Sequence, residues 1–237
     1  MKTVFIADAH LRSPEDSNYI LLLRFLEEVC CEIENLCILG DLFDFRIGIP
    51  SLTFPEHEPL IDALAMIRSR GTRVIYLEGN HDFHLARSFS SKTGFELHSG
   101  PVEIELHGRR IFLCHGDLVN PADWRYRLLH LAIRNRLTAH AGRLLPEAAV
   151  QGVRRRLQHT SRKRYARDKS RWDYEAIIRS YGEKVKRRGF DALVLGHFHL
   201  PFMDESEGFT LLSLGDWIGQ FSYGLLDGDH FSLCSFS

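Results

Sequence analysis

The sequence predicts an α/β fold in which a mixed β-sheet sandwich is flanked by helices and interrupted by one helical insertion. Short apolar runs, typical of buried strands, alternate with segments of helical periodicity in the first third of the chain. Five such runs are each followed by a polar motif, as at the strand ends of an α/β sheet. A chain of 237 residues is long enough for one such domain and an insertion.

The first elements indicate two strand-helix-strand units. Strands are expected at residues 3–7, 36–39 and 74–77. Asp16 or Ser17 can cap a helix after the first strand, and a second helix over residues 58–70 ends at Gly71. Because parallel strands need crossover connections of this kind, the three strands are predicted to be parallel.

The later elements mix strands and helices. A turn at His107-Gly108 predicts a hairpin between residues 102–106 and 111–114. The predicted elements after it are helices over 128–137, 148–157 and 174–188, a strand at 193–195, and a β-meander of 209–214, 221–226 and 231–236.

The charge of the chain is unevenly distributed. The formal net charge is -1, but residues 125–171 contain 14 Lys or Arg against two acids, which leaves 16 basic and 29 acidic residues elsewhere. Such a segment favours an anionic partner, either phosphate groups, nucleic acid or a lipid surface, and a solvated helical face is the alternative. We expect a core of residues 1–123 and 172–237 with a basic helical cap over 124–171.

The cysteines and the N-terminus predict a cytoplasmic protein. The five cysteines form an odd set without a CxxC motif, so we expect them to be reduced. Asp8 interrupts the first apolar stretch before a signal-peptide core can form, and no run approaches 18 apolar residues. The sequence therefore predicts neither secretion nor a membrane span, while the basic segment suggests a peripheral position on the cytoplasmic face of the inner membrane.

Five polar motifs follow the predicted strands and carry side chains that bind metal ions. Because the carboxyl ends of the strands form one region in an α/β sheet, we expect these side chains to gather at one site. They offer three Asp or Asn oxygens and four imidazoles. The motifs are Asp8-Ala9-His10, Gly40-Asp41-Leu42-Phe43-Asp44, Gly79-Asn80-His81-Asp82, His115-Gly116-Asp117 and Gly196-His197-Phe198-His199.

This donor set predicts a site for two divalent cations. Nitrogen and oxygen donors without a thiolate favour Mn²⁺ in near-octahedral geometry, with Fe, Zn or Mg as alternatives. Asp41 is the expected bridge, since one carboxylate can hold two cations. In the pairs Asp8/His10 and His197/His199, an extended backbone would point both side chains to the same side. Two cations activate water and neutralise phosphate oxygens, so the set predicts a phosphoesterase.

Further side chains of the motifs suggest catalytic and supporting roles. His81 is adjacent to the metal ligand Asn80 and is a candidate acid for the leaving oxygen or a stabiliser of its charge. Asp82 is expected to orient His81. Asp44 and Asp117 are expected to accept hydrogen bonds from imidazole N–H groups.

The order and spacing of the five motifs resemble those of the calcineurin-like metallophosphoesterase superfamily. The resemblance covers the whole core and implies a four-layered αββα sandwich with a dinuclear centre. It implies one cation between Asp8, His10, Asp41 and His199, and a second between Asp41, Asn80, His115 and His197, with Asp41 bridging.

Within the superfamily, the chain is similar to the UDP-2,3-diacylglucosamine diphosphatases of the lipid A pathway. The similarity rests on Asp8-Ala9-His10-Leu11, a basic insertion with Lys169-Ser170, and Leu214-Gly215-x-Trp217. It implies release of UMP and 2,3-diacylglucosamine 1-phosphate, with the acyl chains held by the cap. Because the cap has few aromatic side chains among many aliphatic ones, no nucleic-acid partner is expected, and no protein partner is inferred. The implied substrate contacts are Asn80, His81, Asp123, Tyr126 and Lys169.

One residue departs from that similarity. The diphosphatases usually carry Arg where this chain has His81. Arg supplies charge, which is enough for a phosphate leaving group, whereas His supplies the proton that an alkoxide needs. A broader phosphodiesterase or phosphomonoesterase therefore remains an alternative, followed by a nuclease-like enzyme and a non-catalytic scaffold.

Overall fold

A computed structural model of the protein describes residues 2–48, 53–85, 89, 93–135, 152 and 171–237. Its strands are β1 Lys2–Ile6, β2 Ile33–Ile38, β3 Arg46–Ile47, β4 Arg73–Leu77, β5 Asp82–Phe83, β6 Glu96–His98, β7 Val102–Leu106, β8 Arg109–Cys114, β9 Ala192–Leu195, β10 Phe202–Ser206, β11 Phe209–Ser213, β12 Ser222–Asp227 and β13 His230–Ser235. The described helices are α1 Ser17–Val29, α2 Glu58–Ser69, α3 Trp124–Arg134 and α4 Tyr174–Arg187, with a 3-10 turn at Pro55–His57.

The strands form two main sheets. The first has the order β13-β12-β1-β2-β4-β6 and the second β10-β11-β9-β8-β7, while β3 and β5 make a small separate pair. As predicted, β1, β2 and β4 are parallel neighbours, and β7 and β8 form a hairpin. Both turn residues of that hairpin, His107 and Gly108, have positive φ (52° and 77°), which matches the right-handed twist of the strands.

Alternation along each strand divides the core into three layers. In β1, Val4 and Ile6 pack toward helices α1 and α2, whereas Phe5 faces the second sheet. In β9, Ala192 and Val194 face the first sheet, and Leu193 and Leu195 pack toward α4. Helix, sheet, sheet and helix therefore stack in this order, and the predicted αββα sandwich is confirmed.

The prediction of a β-meander at the end of the chain is wrong. The β11 strand lies in the second sheet, parallel to β9, and the chain then crosses to the first sheet, where β12 and β13 form a hairpin. The structure adds β10, antiparallel to β11, which the sequence analysis missed. Apolar runs indicate strands but do not reveal which sheet each one joins, because both sheets share the same inner core.

Of the basic segment, only residues 124–135, 152 and 171 are described. Its helix α3 ends at Arg134, and the predicted helix over 148–157, apart from Gly152, and Lys169 lie outside the described residues. No helix in the described ranges combines the length and apolar composition that a bilayer crossing needs.

Candidate metal centre

The five motifs converge at one end of the sandwich. Asp8 and His10 follow β1, Asp41 follows β2, and Asn80 follows β4, all in the first sheet. His115 follows β8, and His197 and His199 follow β9, both in the second sheet. The structure brings these seven predicted side chains together where the strands of both sheets end.

The donor atoms fall into two groups. In one, ligand atoms of Asp8, His10 and His199 lie within 4.8 Å of one another. Its Asp8 Oδ1 atom is 3.8 Å from His10 Nε2 and 3.7 Å from His199 Nε2. In the other, ligand atoms of Asp41, His115 and His197 meet the same limit, and Asn80 Oδ1 lies 3.1 Å from His115 Nε2.

Asp41 lies between the two groups. Its Oδ2 atom is 3.8 Å from His10 Nε2 and 3.5 Å from His115 Nε2. Its Oδ1 atom accepts a hydrogen bond of 2.8 Å from the His81 backbone N–H. The backbone therefore fixes one oxygen of Asp41 and leaves the other directed at both groups.

The backbone of these residues is not extended, which corrects the expectation for the Asp8/His10 and His197/His199 pairs. Asp8, His10, His197 and His199 all have positive φ, between 46° and 71°, and Asp41 has φ 52°. This left-handed conformation costs a non-glycine residue about 1–2 kcal/mol. Tight turns after each strand set the direction of the paired side chains. The surrounding hydrogen bonds stabilise this strained backbone conformation.

Two glycines of the motifs allow close approach between neighbouring turns. A Cβ atom on Gly79 would lie 2.2 Å from Asp41 Oδ1, and one on Gly196 would lie 2.5 Å from Asp8 Oδ2. Any larger residue would displace these carboxylates, so the glycines in GNHD and GHFH have a packing reason.

Burial and charge make the site suitable for cations. Asp8 Oδ1 and His10 Nε2 are buried and have no hydrogen-bond partner among the described residues. Burial raises the pKa of Asp8 to about 6, lowers the pKa of His10, and lowers the pKa of His197 to about 3. Buried carboxylates and neutral imidazoles with unsatisfied lone pairs fit divalent cations, which would offset these desolvation costs.

His115 differs from the other imidazoles. Burial lowers its pKa, but the Asp41, Asp8 and Asp117 carboxylates outweigh burial and raise the pKa to about 10. A bound cation would replace the proton at Nε2, because its Nδ1–H already donates to the Leu39 carbonyl at 2.8 Å.

Asp216 is a site residue that the sequence analysis missed. Its Oδ2 atom lies 3.2 Å from His199 Nδ1, and its Oδ1 atom accepts from the backbone N–H groups of residues 218–220. These contacts hold its pKa well below the usual range despite burial. The signal was available, since Asp216 occupies the open position of Leu214-Gly215-x-Trp217 after an apolar run.

The expected supporting carboxylates have other partners. Asp82 does not orient His81; it accepts from the Tyr76 hydroxyl at 2.6 Å and from the backbone N–H groups of Asp41, Leu42 and Gly79. Asp82 therefore ties the Asp41 and Asn80 turns together. These backbone donors could not be predicted from the sequence because they depend on how the two turns meet.

The other two carboxylates, Asp44 and Asp117, each contact a group that is not an imidazole, in addition to imidazoles nearby. The Asp44 carboxylate pairs with Arg12, whereas its backbone carbonyl accepts from His81 Nδ1 at 2.7 Å. Asp117 accepts a 2.6 Å hydrogen bond from the Tyr126 hydroxyl, and His130 Nε2 lies 3.6 Å from it.

The expected substrate contacts lie partly at the site. The His81 ring packs edge-on against His10, with 4.7 Å between centroids. The Tyr126 ring is 6.5 Å from that of His197. Asp123 caps α3 by accepting from the Tyr126 backbone N–H at 3.2 Å.

The fold and this donor set together define a metal-dependent phosphoesterase. A family model described as "Calcineurin-like phosphoesterase" matches residues 1–201. The chain belongs to the calcineurin-like phosphoesterase family, and it is a hydrolase of phosphate esters or anhydrides that uses divalent cations.

Curated relatives match this chain over most of its length. A protein named "UDP-2,3-diacylglucosamine hydrolase" from Aeromonas salmonicida is 32% identical and covers 93% of this chain and 87% of its own. Proteins of the same name from Stenotrophomonas maltophilia (30% identical, 98% of both chains) and Haemophilus influenzae (30% identical, 90% of this chain and 89% of its own) are similar to it.

Solved structures share the fold. A novel archaeal phosphodiesterase superimposes with a TM-score of 0.54 at 14% identity over the whole of both chains. The E. coli phosphoesterase Yfce superimposes with a TM-score of 0.53 at 20% identity, over 99% of this chain and 93% of its own.

Proposed function

We propose that this chain hydrolyses UDP-2,3-diacylglucosamine, releasing UMP and 2,3-diacylglucosamine 1-phosphate. The observation that carries the proposal is the match to relatives of that name over nearly the full length of both chains, across the core and the basic segment alike. The seven donor residues, six in the two groups and Asn80 beside His115, support catalysis on the same site.

The proposed metal ligands are the seven residues of the two groups. Asp8, His10 and His199 would hold one divalent cation, and Asn80, His115 and His197 would hold a second, with Asp41 contributing to both. When bound, the cations supply an activated water and neutralise charge on the phosphate. Mn²⁺ is the preferred metal, with Fe, Zn or Mg as alternatives.

The chain's own residues bind and orient the diphosphate in this proposal. Asn80 and His81 lie at the attacked phosphorus, and Tyr126, Asp123 and Lys169 contact the rest of the substrate. The Asp117 carboxylate holds the Tyr126 hydroxyl in place at 2.6 Å. Asp41 positions His81 through the backbone N–H of that residue.

Residues 124–171 act as a cap over a lipid substrate in this proposal. Helix α3 exposes Trp124, Leu128 and Leu131 on one side, with 59%, 57% and 66% of their surfaces accessible. Apolar side chains among basic ones suit acyl chains below a charged head group, and they also suit an anionic membrane surface. We therefore propose a cytoplasmic protein that binds the inner membrane peripherally.

Parallel assays test the substrate. With Mn²⁺ supplied, we expect hydrolysis of UDP-2,3-diacylglucosamine to UMP, alongside turnover of bis(p-nitrophenyl) phosphate as an assay of the metal centre. Turnover of the second substrate without the first would refute the lipid function and leave the metal centre intact.

A phosphodiesterase or phosphomonoesterase with His81 as the acid is the second candidate. The observation that favours it is the 2.7 Å contact from His81 Nδ1 to the Asp44 carbonyl, because it orients the ring through Nδ1, and an imidazolium oriented in this way can give the Nε2 proton to a leaving oxygen and become the neutral Nδ1–H tautomer. Under this alternative, His81→Ala lowers turnover of esters with poor alkoxide leaving groups. Unchanged diphosphate turnover in the same variant would show that His81 is not the acid for that substrate.

A further inference from the structure

Arg12 is held rigidly beside the metal centre. It lies two residues after His10, and the backbone around it pairs with the turn after β2. The Leu11 N–H donates to the Leu42 carbonyl at 3.0 Å, and the Asp44 N–H donates to the Leu11 carbonyl at 3.0 Å. Residues 10–12 and 42–44 therefore occupy fixed positions side by side.

The Arg12 guanidinium is oriented by a forked contact with Asp44. Its Nε atom lies 3.2 Å from Asp44 Oδ2, and its Nη2 atom lies 3.3 Å from Asp44 Oδ1. The Asp44 side chain is 10% exposed, whereas that of Arg12 is 52% exposed. Guanidinium has five N–H donors, and Nη1 has no partner in the described part of the chain, so donors remain for a ligand.

The same carboxylate connects Arg12 to the centre. A carboxylate oxygen of Asp44 and ring nitrogens of His10 and His81 lie within 4.8 Å of one another. One carboxylate group therefore separates the guanidinium from His10, a proposed metal ligand. This separation suits the second phosphoryl group of a diphosphate whose first phosphoryl group lies on the cations.

The other described arginines near the centre are already engaged. Arg134 donates to the Gly79 and Ser99 carbonyls. Arg46 is buried at 7% exposure, with its guanidinium over the rings of Phe43, Phe54 and Phe89. Among these described cations, Arg12 alone combines an exposed guanidinium with a place beside His10 and His81.

We propose that Arg12 binds the leaving phosphate of the diphosphate substrate and neutralises the charge that develops on it. The inference rests on the proposed function. Water oxygen bonds to the phosphorus of the nucleotide, the bond from that phosphorus to the bridging oxygen breaks, and its electron pair stays on the lipid phosphate. The protons of the water pass to solvent. A permanent cation stabilises this leaving group without donating a proton.

Substitutions of Arg12 test the role. For UDP-2,3-diacylglucosamine with Mn²⁺, Arg12→Ala is expected to lower kcat/KM by roughly 10- to 100-fold, the effect of losing a charged hydrogen bond. The loss on bis(p-nitrophenyl) phosphate, which has a single phosphoryl group, should be at least about tenfold smaller. The kcat/KM of Arg12→Lys should fall between those of the wild type and of Arg12→Ala, because Lys keeps the positive charge but loses the planar guanidinium donors.

Arg24→Ala is the matched control. Arg24 is also an exposed arginine, 61% accessible and paired with Glu28 at 3.0 Å, but it lies on α1 away from the motifs. We expect wild-type kinetics for this variant. Equal losses on the two substrates in Arg12→Ala, or kinetics of Arg12→Ala that match those of Arg24→Ala, would overturn the proposal.

A binding measurement separates this inference from the proposed function. Titration calorimetry of the Mn²⁺-loaded protein with methylenediphosphonate and with inorganic phosphate needs no turnover. Arg12→Ala should weaken binding of the diphosphonate at least about fivefold more than binding of phosphate. If the wild type does not hydrolyse the lipid but shows this difference, the lipid function fails and the role of Arg12 stands. Equal weakening of the two ligands would refute the role of Arg12.

Discussion

Two imidazoles of this site are oriented by hydrogen bonds at Nδ1, on the side of the ring opposite the proposed cation sites. Asp216 and the Leu39 carbonyl fix the Nδ1 sides of His199 and His115, which leaves Nε2 of each ring facing the carboxylates. The seven donors could be predicted because each is in a motif that follows an apolar run. Asp216 lies in the Leu214-Gly215-x-Trp217 motif, but it was missed because the sequence does not show that the loop after β11 returns to His199.

Asp216→Asn should therefore weaken metal binding without removing a ligand. The amide keeps the size of the side chain but loses the charge that favours an orientated, basic imidazole at His199. We expect Mn²⁺ affinity to fall by about 10- to 100-fold, measured by titration calorimetry. Asp229→Asn, in an exposed turn, is the control. Wild-type affinity in Asp216→Asn would show that Asp216 does not support His199.

Among the elements, α3 connects the basic segment to the metal centre at two points. Tyr126, near its start, binds Asp117 of the HGD motif, and Arg134, at its end, binds the Gly79 carbonyl of the GNHD motif. Arg134 Nη1 also lies 3.5 Å from Glu78 Oε2. The helix is thus placed by polar contacts with two of the loops that carry metal ligands, while much of its apolar surface is exposed.

Loss of the Arg134 contacts should destabilise the packing of α3 against the metal-ligand loops. Arg134→Met removes a hydrogen bond to the carbonyl of buried Gly79, another to the Ser99 carbonyl and the ion pair with Glu78, so we expect the free energy of unfolding to fall by about 1–3 kcal/mol in urea titrations. Arg127→Met, at an exposed position of the same helix, should change it by less than about 0.5 kcal/mol. Equal effects of the two substitutions would mean that the Arg134 contacts do not stabilise the helix.

Some of these elements could be predicted from the sequence and others could not, for physical reasons. Buried strands and amphipathic helices such as α1, α2 and α4 have periodicities set by the core, so their positions follow from apolar spacing. The left-handed turns at Asp8 and His197 could not be predicted, because non-glycine residues rarely adopt positive φ without tertiary support. The strand β10 was missed because it lies at a sheet edge and contains Asp204, Glu205 and Ser206.

For the whole molecule, the uneven distribution of charge along the chain suggests how the protein gains access to its substrate. The chain outside residues 125–171 is acidic and carries a site whose donors attract cations, whereas the basic residues concentrate in positions 125–171. An enzyme reaches a lipid substrate from a membrane surface. A basic, partly apolar segment has the charge needed to bind a membrane whose surface is anionic.

Vesicle binding tests this arrangement. We expect the protein to co-sediment with vesicles that contain phosphatidylglycerol, and less with pure phosphatidylcholine vesicles. Raising the salt from about 0.1 M to about 1 M should release it, since screening shortens the range of the attraction from about 10 Å to about 3 Å. Binding that is indifferent to lipid charge and salt would show that the basic segment does not bind membranes electrostatically.

We propose that one carboxylate, Asp41, joins two cation sites. Elemental analysis of Mn²⁺-reconstituted protein after removal of free metal measures this directly, with circular dichroism to confirm folding. We predict about two Mn²⁺ per wild-type chain, and loss of both metal and phosphoesterase activity together in Asp41→Ala. One Mn²⁺ per wild-type chain, or an Asp41→Ala variant that keeps two and remains active, would show that Asp41 does not join two cation sites.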